Sequence, residues 1–388
     1  MRILFVSPKI NPFDRNGYGS VQRSNLLLNA CAQIAHVDVI TFVDNVKSDI
    51  DNVSVLYSHA LENEQVDPSR LKSICSLLTP WNAYSMFPKH NEAAKIVERY
   101  AEENTYDYIV VRYIPQVLYC GLMKFADKLI VDVDDDPLEV AKFTSKTAKR
   151  LRKRLFHKIQ YPFLKLNITR ILSKINYAFY ANAEQAVYPN SCYLPNIPFH
   201  TIEGIELVNY SNVGNKLFFV GNLFYGPNSS GVDYFVKNIF PTVRAEVIDA
   251  EFHIGGKCPE NFVDEWNKID GVKVLGFVPD LNVEYATSKL VVIPMYSGAG
   301  TNIKLLEAMQ MMRPVVTTDC GIRGFKNHFK DGNDYLLANN DIDFANIIVT
   351  VLKDETLNCT LAKNASEVIN KYYTKKEFNN IVQKILVK

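Results

Sequence analysis

Short apolar runs, rich in β-branched and aromatic residues, alternate along the chain with longer segments in which apolar residues recur at helical spacing. In the first half these runs predict buried strands over 3–6, 37–42, 108–112 and 129–133. After residue 210 the pattern restarts and predicts strands over 216–220, 251–255, 272–277, 289–294 and 314–318, with helices over 232–244 and 302–311. Such alternation is typical of parallel βαβ units. The sequence therefore predicts an α/β protein with two parallel-sheet domains.

The connection between the two halves is rich in Pro, Gly and Asn, which mark turns and linkers. Its clearest segments are Tyr193-Leu-Pro-Asn-Ile-Pro198 and Tyr210-Ser-Asn-Val-Gly-Asn215. We predict an N-terminal domain over 1–205, a C-terminal domain over 206–372 and a helical tail over 362–388. Two such domains would form a cleft between the carboxyl ends of their sheets, where open sheets of this type bind ligands.

Length, charge and cysteine usage narrow the class of protein. The chain has 388 residues, 47% of them hydrophobic, so it is too long for one ordinary core and too apolar to be disordered. The 43 Lys and Arg residues nearly balance the 42 Asp and Glu residues, which argues against a general polyanion binder. Seven scattered cysteines without a CxxC pair indicate neither a disulfide framework nor a zinc site. No apolar run approaches the roughly 20 residues that span a bilayer, so we expect a cytoplasmic protein, at most peripheral at the inner face of the membrane.

A glycine loop, Asn16-Gly17-Tyr18-Gly19-Ser20, follows the first predicted strand and precedes an apolar helix. Glycines let the backbone approach a ligand, and the free N–H groups of a helix start suit an anion. The loop lacks the third glycine of the dinucleotide fingerprint, which disfavours a nicotinamide cofactor. An ordinary strand-to-helix turn is the alternative.

The strongest candidate site is the segment Ser297-Gly-Ala-Gly-Thr-Asn-Ile-Lys304, which directly follows the apolar strand 289–294. Small residues that enter a helix present N–H groups and the positive end of the helix dipole to a phosphate. Lys304 and Glu307 are three residues apart and share one helix face. A cation near a diphosphate and a carboxylate near ribose hydroxyls would together recognise a nucleoside diphosphate. The alternative is an ordinary surface pair.

An acidic cluster, Asp132-Val-Asp-Asp-Asp136, contains a D-x-D pair of the kind that can bind a metal ion. Capping of a helix that begins at Pro137 is the simpler explanation for Asp135 and Asp136. We expect neither a metal nor a cofactor.

A basic segment lies within 140–183, where eleven Lys or Arg residues occur without an acidic residue. Leu151, Leu155 and Ile159 recur in it at helical spacing, which predicts a basic amphipathic helix. Such a helix can lie on an anionic membrane, which makes that surface a candidate partner of the segment 142–174. A solvated helix face is the alternative. Nucleic acid is not an expected partner, because no reading module accompanies the charge.

Four segments of the second half resemble a known family in their order and spacing. They are Phe219-Val-Gly-Asn-Leu-Phe-Tyr-Gly-Pro-Asn228, Val274-Leu-Gly-Phe-Val-Pro-Asp280, Gly300-Thr-Asn-Ile-Lys-Leu-Leu-Glu-Ala-Met309 and Arg313-Pro-Val-Val316. They are similar to the C-terminal domain of the retaining GT-B glycosyltransferases of family 4, the "group 1" transferases. The glycine loop and Ala181-Asn-Ala-Glu-Gln-Ala186 resemble the N-terminal domain of that family more loosely.

The resemblance implies the GT-B fold, two Rossmann-like domains facing a cleft, with the last helix, about 373–388, packed back on the N-terminal domain. It also implies retaining transfer of a sugar from a nucleotide-diphosphate sugar to a glycan or lipid-linked acceptor in cell-surface polysaccharide synthesis, without a metal. The positions that match the family's donor-binding residues are Gly17, Gly19, Gly221, Asn222, Gly300, Thr301, Asn302, Lys304 and Glu307. Glu307 would hold the ribose hydroxyls and Lys304 the diphosphate. Asp134 would lie beside the reacting sugar, so Asp134 and Lys304 are the expected catalytic residues.

Two departures from the family pattern leave other functions open. The first Glu of the family's E-x7-E motif would fall at Ala299, and Asn222 and Asn228 stand in the segment where an Arg and a Lys are usual. A branch of the family with G-x-G-T-x-x-K-x-L-E fits this sequence, with Lys304 as its cation. The alternatives are a non-catalytic accessory subunit that binds a nucleotide or a partner, and a nucleotide-sugar epimerase of the same fold.

Overall fold

A computed structural model describes residues 1–14, 19–61, 89–134, 136–147, 150–199, 213–298 and 300–387. The chain forms two compact units. Unit 1 comprises Met1–Pro195 and Phe378–Lys388, and unit 2 comprises Asn196–Glu377. The boundary expected at 205/206 falls within 200–212, outside the described residues, and stays a prediction. Unit 2 is therefore inserted between two parts of unit 1.

Unit 1 is built on a parallel sheet. Its described strands are β1 (Arg2–Ser7), β2 (His36–Thr41), β3 (Val53–Ser58), β4 (Tyr108–Arg112), β5 (Leu129–Asp134), β6 (Tyr177–Tyr180) and β7 (Ser191–Tyr193). They lie in the order β3-β2-β1-β4-β5-β6-β7. The helices are α1 (Gly19–Ala32), α2 (Asn91–Glu103), α3 (Ile114–Tyr119), α4 (Pro137–Thr147) and α5 (Leu151–Leu172). The central strands are nearly continuous apolar runs because the crossover helices cover both faces of a parallel sheet.

Unit 2 repeats this architecture. Its described strands are β8 (Lys216–Val220), β9 (Glu251–Gly255), β10 (Val272–Gly276), β11 (Leu290–Ile293), β12 (Val315–Thr317) and β13 (Leu336–Leu337), in the parallel order β10-β9-β8-β11-β12-β13. The helices are α6 (Gly226–Asn238), α7 (Phe240–Glu246), α8 (Glu260–Trp266), α9 (Leu281–Ala286), α10 (Ile303–Gln310), α11 (Asp341–Lys353) and α12 (Glu355–Tyr372). A last helix, α13 (Lys375–Leu386), runs from unit 2 into unit 1.

The strand order changes direction at one point in each sheet, between β1 and β4 in unit 1 and between β8 and β11 in unit 2. At such a point the loops that leave the carboxyl ends of the two strands diverge and open a crevice, which is the usual ligand site of these sheets. The predicted site residues that the structure describes gather at these two switch points.

The predicted strands are confirmed within one or two residues, and those over 108–112, 216–220 and 251–255 are confirmed residue for residue. The single helix predicted over 232–244 is wrong, because α6 ends at Asn238 and α7 begins at Phe240. Pro241 lies in the first turn of α7, and proline lacks the N–H that a continuous helix would need there. The tail predicted as one helix is also two, α12 and α13.

The last helix packs into unit 1 through a row of buried apolar side chains, Phe378, Val382 and Leu386. Asn379 Nδ2 donates a 2.9 Å hydrogen bond to Gln33 Oε1, just after α1. The guanidinium of Arg23 lies 5.9 Å from the centre of the Phe378 ring. The carboxyl-terminal residues therefore complete the packing around α1.

Candidate active site

The switch point of unit 2 brings the end of β8 against the start of α10. Gly221 follows β8, and a Cβ there would lie 2.9 Å from Asn228 Nδ2 and 3.0 Å from Lys304 Nζ. Gly256 lies behind it with φ +118°, and a Cβ on Gly256 would come within 2.0 Å of Gly221 O. Glycines at both positions therefore let the backbone approach the lysine closely.

Lys304 is held by an asparagine from another helix. Its Nζ donates a 2.8 Å hydrogen bond to Oδ1 of Asn228, which is buried in the first turn of α6. Asn228 Nδ2 donates in turn to Asn222 O at 2.9 Å. The asparagine thus uses its acceptor for the ammonium and its donor for the loop after β8, which fixes the position of the lysine charge.

Burial and the neighbouring groups act in opposite directions on the charge of Lys304. Its Nζ lies 4.5 Å from the centre of the Phe219 ring. Burial lowers the pKa of Lys304 to about 7, although the negative charge of Glu307 acts in the opposite direction. Glu307 is partly buried one turn further along α10. When Lys304 is protonated, an anion that reached its ammonium group would therefore meet a positive charge that little water screens.

The loop before α10 is tied to neighbouring segments of unit 2. Thr301 Oγ1 accepts a 2.8 Å hydrogen bond from Nδ2 of Asn196, which is buried. Asn302 directly precedes α10, but its Nδ2 donates to Gly321 O at 3.0 Å and its side chain does not cap the helix. Gly300 lies beside them in the same loop. The first N–H groups of α10 therefore donate no hydrogen bond to the side chain of Asn302, the residue at the usual capping position.

A cavity of about 520 Å³ lies beside this loop, at the carboxyl ends of β11, β12 and β13. Its lining includes Tyr296, Arg323, Asn339 and Phe344. Arg323 Nη1 donates a hydrogen bond to Gly298 O, so a wall of the cavity is attached to the backbone of the predicted phosphate loop.

The switch point of unit 1 contains two buried arginines and two aspartates. Arg23 Nη2 donates to Asp132 Oδ1 at 2.7 Å, and Arg112 Nε donates to Asp132 Oδ2 at 2.8 Å. Arg112 also pairs through Nη2 with Asp134, the predicted catalytic residue. Burial alone would raise the pKa of Asp132, but the two guanidinium groups outweigh it and hold this pKa below its usual range. The D-x-D carboxylates are thus matched by two positive charges.

Backbone strain accompanies this cluster. Asp134 has φ +55° and Tyr113, at the end of β4, has φ +66°, a region that non-glycine residues rarely adopt. Tyr113 OH donates a 3.2 Å hydrogen bond to Asp134 Oδ2. Strained residues of this kind cluster at functional sites, where the surrounding structure holds them in place.

The remaining predicted positions divide into described and undescribed residues. Gly19 is the first residue of α1, whereas Gly17 and Ala299 lie outside the described residues. Asp136 Oδ1 accepts a 2.8 Å hydrogen bond from Leu138 N, in agreement with the capping explanation of the acidic cluster, and Asp135 is also outside the described residues. Among the residues that the structure covers, no three His, Cys, Asp or Glu side chains are grouped as metal ligands.

The sequence pointed to Lys304 and Glu307 but not to Arg23 and Arg112. Arg23 stands among Ser, Gln and Asn residues at the start of α1, and Arg112 is a single charge at the end of an apolar strand. Such a lone charge becomes informative only when its partner is known, and Asp132 is 109 residues from Arg23.

Comparison with known families concerns unit 2. Residues 214–354 match the family "Glycosyl transferases group 1". The matched segment lies within unit 2 and contains Gly221, Asn228, Lys304 and Glu307. A curated protein of Klebsiella pneumoniae, named an uncharacterized 44.6 kDa protein in the cps region, is 30% identical over 176 residues. This match spans 43% of the present chain and 45%, under half, of that relative.

Solved structures resemble the whole chain. Sucrose-phosphate synthase from Thermosynechococcus elongatus matches with a TM-score of 0.69 and 18% identity, over 99% of this chain and 98% of that one. Anabaena HepE, in complex with UDP and glucose, matches with a TM-score of 0.63 and 15% identity, over 100% of this chain and 99% of that one. WaaG, a glycosyltransferase involved in lipopolysaccharide biosynthesis, matches with a TM-score of 0.62 and 15% identity, over 99% of each chain. These similarities confirm the predicted GT-B fold, with two parallel-sheet α/β domains.

No described helix is both long enough and apolar enough to cross a membrane.

Proposed function

We propose that this protein is a retaining, family 4-like glycosyltransferase that moves a sugar from a nucleoside-diphosphate sugar to a glycan or lipid-linked acceptor in surface polysaccharide synthesis. The observation that carries the proposal is the fixed ammonium of Lys304 at the switch point of the group 1 domain, held by Asn228. A poorly solvated cation at this place is suited to a diphosphate.

The donor would bind along the start of α10. Its diphosphate would contact Lys304 Nζ and the N–H groups before the helix, and Gly221 leaves room for the close approach. Glu307, one turn further along, would accept hydrogen bonds from the two ribose hydroxyls. Of the remaining predicted donor positions, Gly300, Thr301 and Asn302 would lie against the phosphates. Asn222 would form the edge of the loop that follows β8.

In the transfer step, the bond between the anomeric carbon and the β-phosphate oxygen breaks, and its electron pair stays on that oxygen. The acceptor hydroxyl oxygen bonds to the same face of the carbon, and its proton passes to the departing phosphate. The products are a glycoside of retained configuration and a nucleoside diphosphate. Lys304 would stabilise the leaving phosphate more strongly in the transition state than in the ground state, because negative charge builds there. No step requires a metal.

Asp134 would act from the acceptor side. Because its carboxylate is paired with Arg112 and bonded to Tyr113, its position is fixed. Its negative charge would stabilise the positive charge that develops on the sugar ring. The assignment to surface polysaccharides is supported by the name of the Klebsiella pneumoniae relative and by the fold shared with WaaG.

The first experiment is a thermal-shift panel with UDP, GDP, dTDP, ADP and CMP, with and without magnesium. A ligand that binds only the folded protein must raise its stability. We expect one nucleoside diphosphate to raise Tm in a magnesium-independent way, and Lys304→Ala and Glu307→Ala to abolish the shift while Lys268→Ala, at an exposed position of unit 2, retains it.

Product analysis with the selected donor completes the test. Transfer to an acceptor, or slow donor hydrolysis, by the purified chain supports the transferase. A protein that binds no nucleotide and turns over no donor would instead be an accessory subunit, and an epimerised donor formed without any acceptor would identify an epimerase.

A further inference from the structure

Helix α5 has two apolar faces, and the described part of the chain covers only one of them. The inner face places Leu164, Ile168 and Ile171 in the core of unit 1. On the outer face lies an exposed stripe, which consists of Leu151, Leu155, Ile159 and Leu166, with exposed fractions of 77%, 56%, 48% and 43%. At about 3.6 residues per turn, the exposed stripe runs along the side of α5 opposite to the buried face. The residues of unit 1 that the structure describes therefore leave this stripe in water.

Positive charge borders the exposed stripe on both sides. The same helical geometry puts Arg152 and Arg170 along one edge and Lys158 and Lys165 along the other, all of them exposed. The α5 sequence contains no Asp or Glu. Within the described part of the chain, no carboxylate forms an ion pair with Lys158 or Lys165. The outer face of α5 is therefore apolar along its centre and uniformly cationic along its rims.

This pattern restricts what can cover the exposed stripe. A second copy would bring its own basic rims against these, and like charges directly opposed across an interface are unfavourable. A nucleic acid would match the charge but offers no apolar surface for four large side chains. The headgroup region of an anionic bilayer matches both features, because acyl chains receive the apolar stripe and lipid phosphates receive the rims.

We propose that the outer face of α5 is a docking surface for a bilayer that contains anionic phospholipids, with the helix lying in the interface plane. In this arrangement the side chains of the exposed stripe enter the boundary between headgroups and acyl chains. The basic rims remain at the level of the headgroup phosphates, since long Lys and Arg side chains can bury their stems and keep their charges in water. This inference does not depend on the proposed reaction, because neither the surface nor its test involves turnover.

The test is flotation of the full-length protein with vesicles of phosphatidylglycerol and phosphatidylcholine, and with vesicles of phosphatidylcholine alone. We expect binding to the anionic vesicles only. The triple variant L151S/L155S/I159S keeps every charge and should bind about tenfold more weakly, because burial of apolar area drives interfacial insertion. The double variant R152E/K158E keeps the stripe and should bind more weakly by a similar factor, since its rims no longer attract anionic lipid.

Matched controls use exposed positions on unit 2. Ile248→Ser removes an apolar side chain that is also 77% exposed, and Lys268→Glu reverses an exposed charge; both should bind like the wild type. All the altered side chains are exposed, so unchanged thermal unfolding should accompany the loss of binding. Equal binding to both kinds of vesicle, or none to either, would overturn the proposal. So would a triple variant that binds like the wild type, or a dimer in solution that the triple variant abolishes, which would assign the face to a second copy.

Discussion

Lys304 Nζ donates its 2.8 Å hydrogen bond to an amide oxygen, that of Asn228, and not to a carboxylate. A neutral partner fixes the ammonium without cancelling its charge. A carboxylate at the same place would neutralise the lysine and repel a diphosphate. The side chain is thus held in place but still able to attract an anion.

Replacement of Lys304 should slow turnover as well as weaken donor binding. We expect Lys304→Ala to lower kcat by roughly 100- to 1000-fold, the range seen when one group that stabilises developing charge is removed. Steady-state transfer from the donor selected by the thermal-shift panel measures this. Lys268→Ala serves as the control, and a Lys304→Ala protein with wild-type kcat would remove Lys304 from the catalytic site.

The pKa of Lys304, about 7, makes donor binding depend on pH. Below pH 7 the free protein carries the ammonium, and above it the neutral amine predominates. The dissociation constant for a nucleoside diphosphate should therefore rise above pH 7, by up to about tenfold per pH unit. Calorimetric titrations from pH 6 to 9 measure it.

Two variants separate this lysine from other titrating groups. Lys304→Arg should flatten the pH profile, because a guanidinium stays charged throughout this range. Asn228→Asp should move the weakening to higher pH, because a carboxylate beside the ammonium raises its pKa. A Lys304→Arg protein that kept the wild-type slope would show that another group titrates.

Gly231 in α6 lies against the end of β11, where a Cβ would come within 2.2 Å of Pro294 O. Because the obstacle is backbone, the helix would have to move, and we expect Gly231→Ala to lower the free energy of unfolding by about 1–3 kcal/mol. Gly226 in the same helix has nothing within 4 Å of a Cβ, so Gly226→Ala is the matched control. Urea unfolding that gave equal stabilities for the two variants would contradict the close packing.

Removal of Arg112 should destabilise unit 1. It removes the ion pair with Asp134 and one of the two guanidinium groups that pair with the buried Asp132. Breaking a buried pair by deleting one member costs about 3–5 kcal/mol. We expect Arg112→Ala to lose that much in urea unfolding and Arg152→Ala, at an exposed site, to lose almost nothing. Adding Asp134→Asn to Arg112→Ala should recover part of the loss, whereas a further additive loss would show that the two residues act independently.

Much of the fold could be predicted from periodicity. Buried parallel strands such as β4 and β8 are short apolar runs between polar turns, and they were predicted at their observed bounds. Four strands, β3, β6, β7 and β13, were not predicted. The strands β6, β7 and β13 have only four, three and two residues, which carry too little pattern. The strand β3 is half-buried along its whole length and therefore is not a continuous apolar run. The break at Ile239 was missed because α6 and α7 share one continuous helical periodicity, and Pro241 lies in the first turn of the second helix, where proline is tolerated.

The candidate site was predictable where its parts are close in sequence. Lys304 and Glu307 belong to one helix, so their shared face follows from spacing. The Asn228 contact joins residues 76 apart, and the arginines of unit 1 reach Asp132 across still longer separations or from another strand. Such contacts arise from the strand order, which places β8 beside β11 and β4 beside β5, and single-chain patterns do not determine that order.

The insertion of unit 2 into unit 1 has a consequence for biosynthesis. Unit 2 is one continuous segment, so its packing needs no residue that is synthesised after Glu377. Unit 1 begins first but lacks Phe378, Val382 and Leu386 until all of unit 2 has been synthesised. Domains generally fold as units during synthesis, amino-terminal first. Here we expect unit 1 to complete its folding after unit 2, although its synthesis begins first. Its incomplete core should therefore stay accessible to chaperones and proteases for longer.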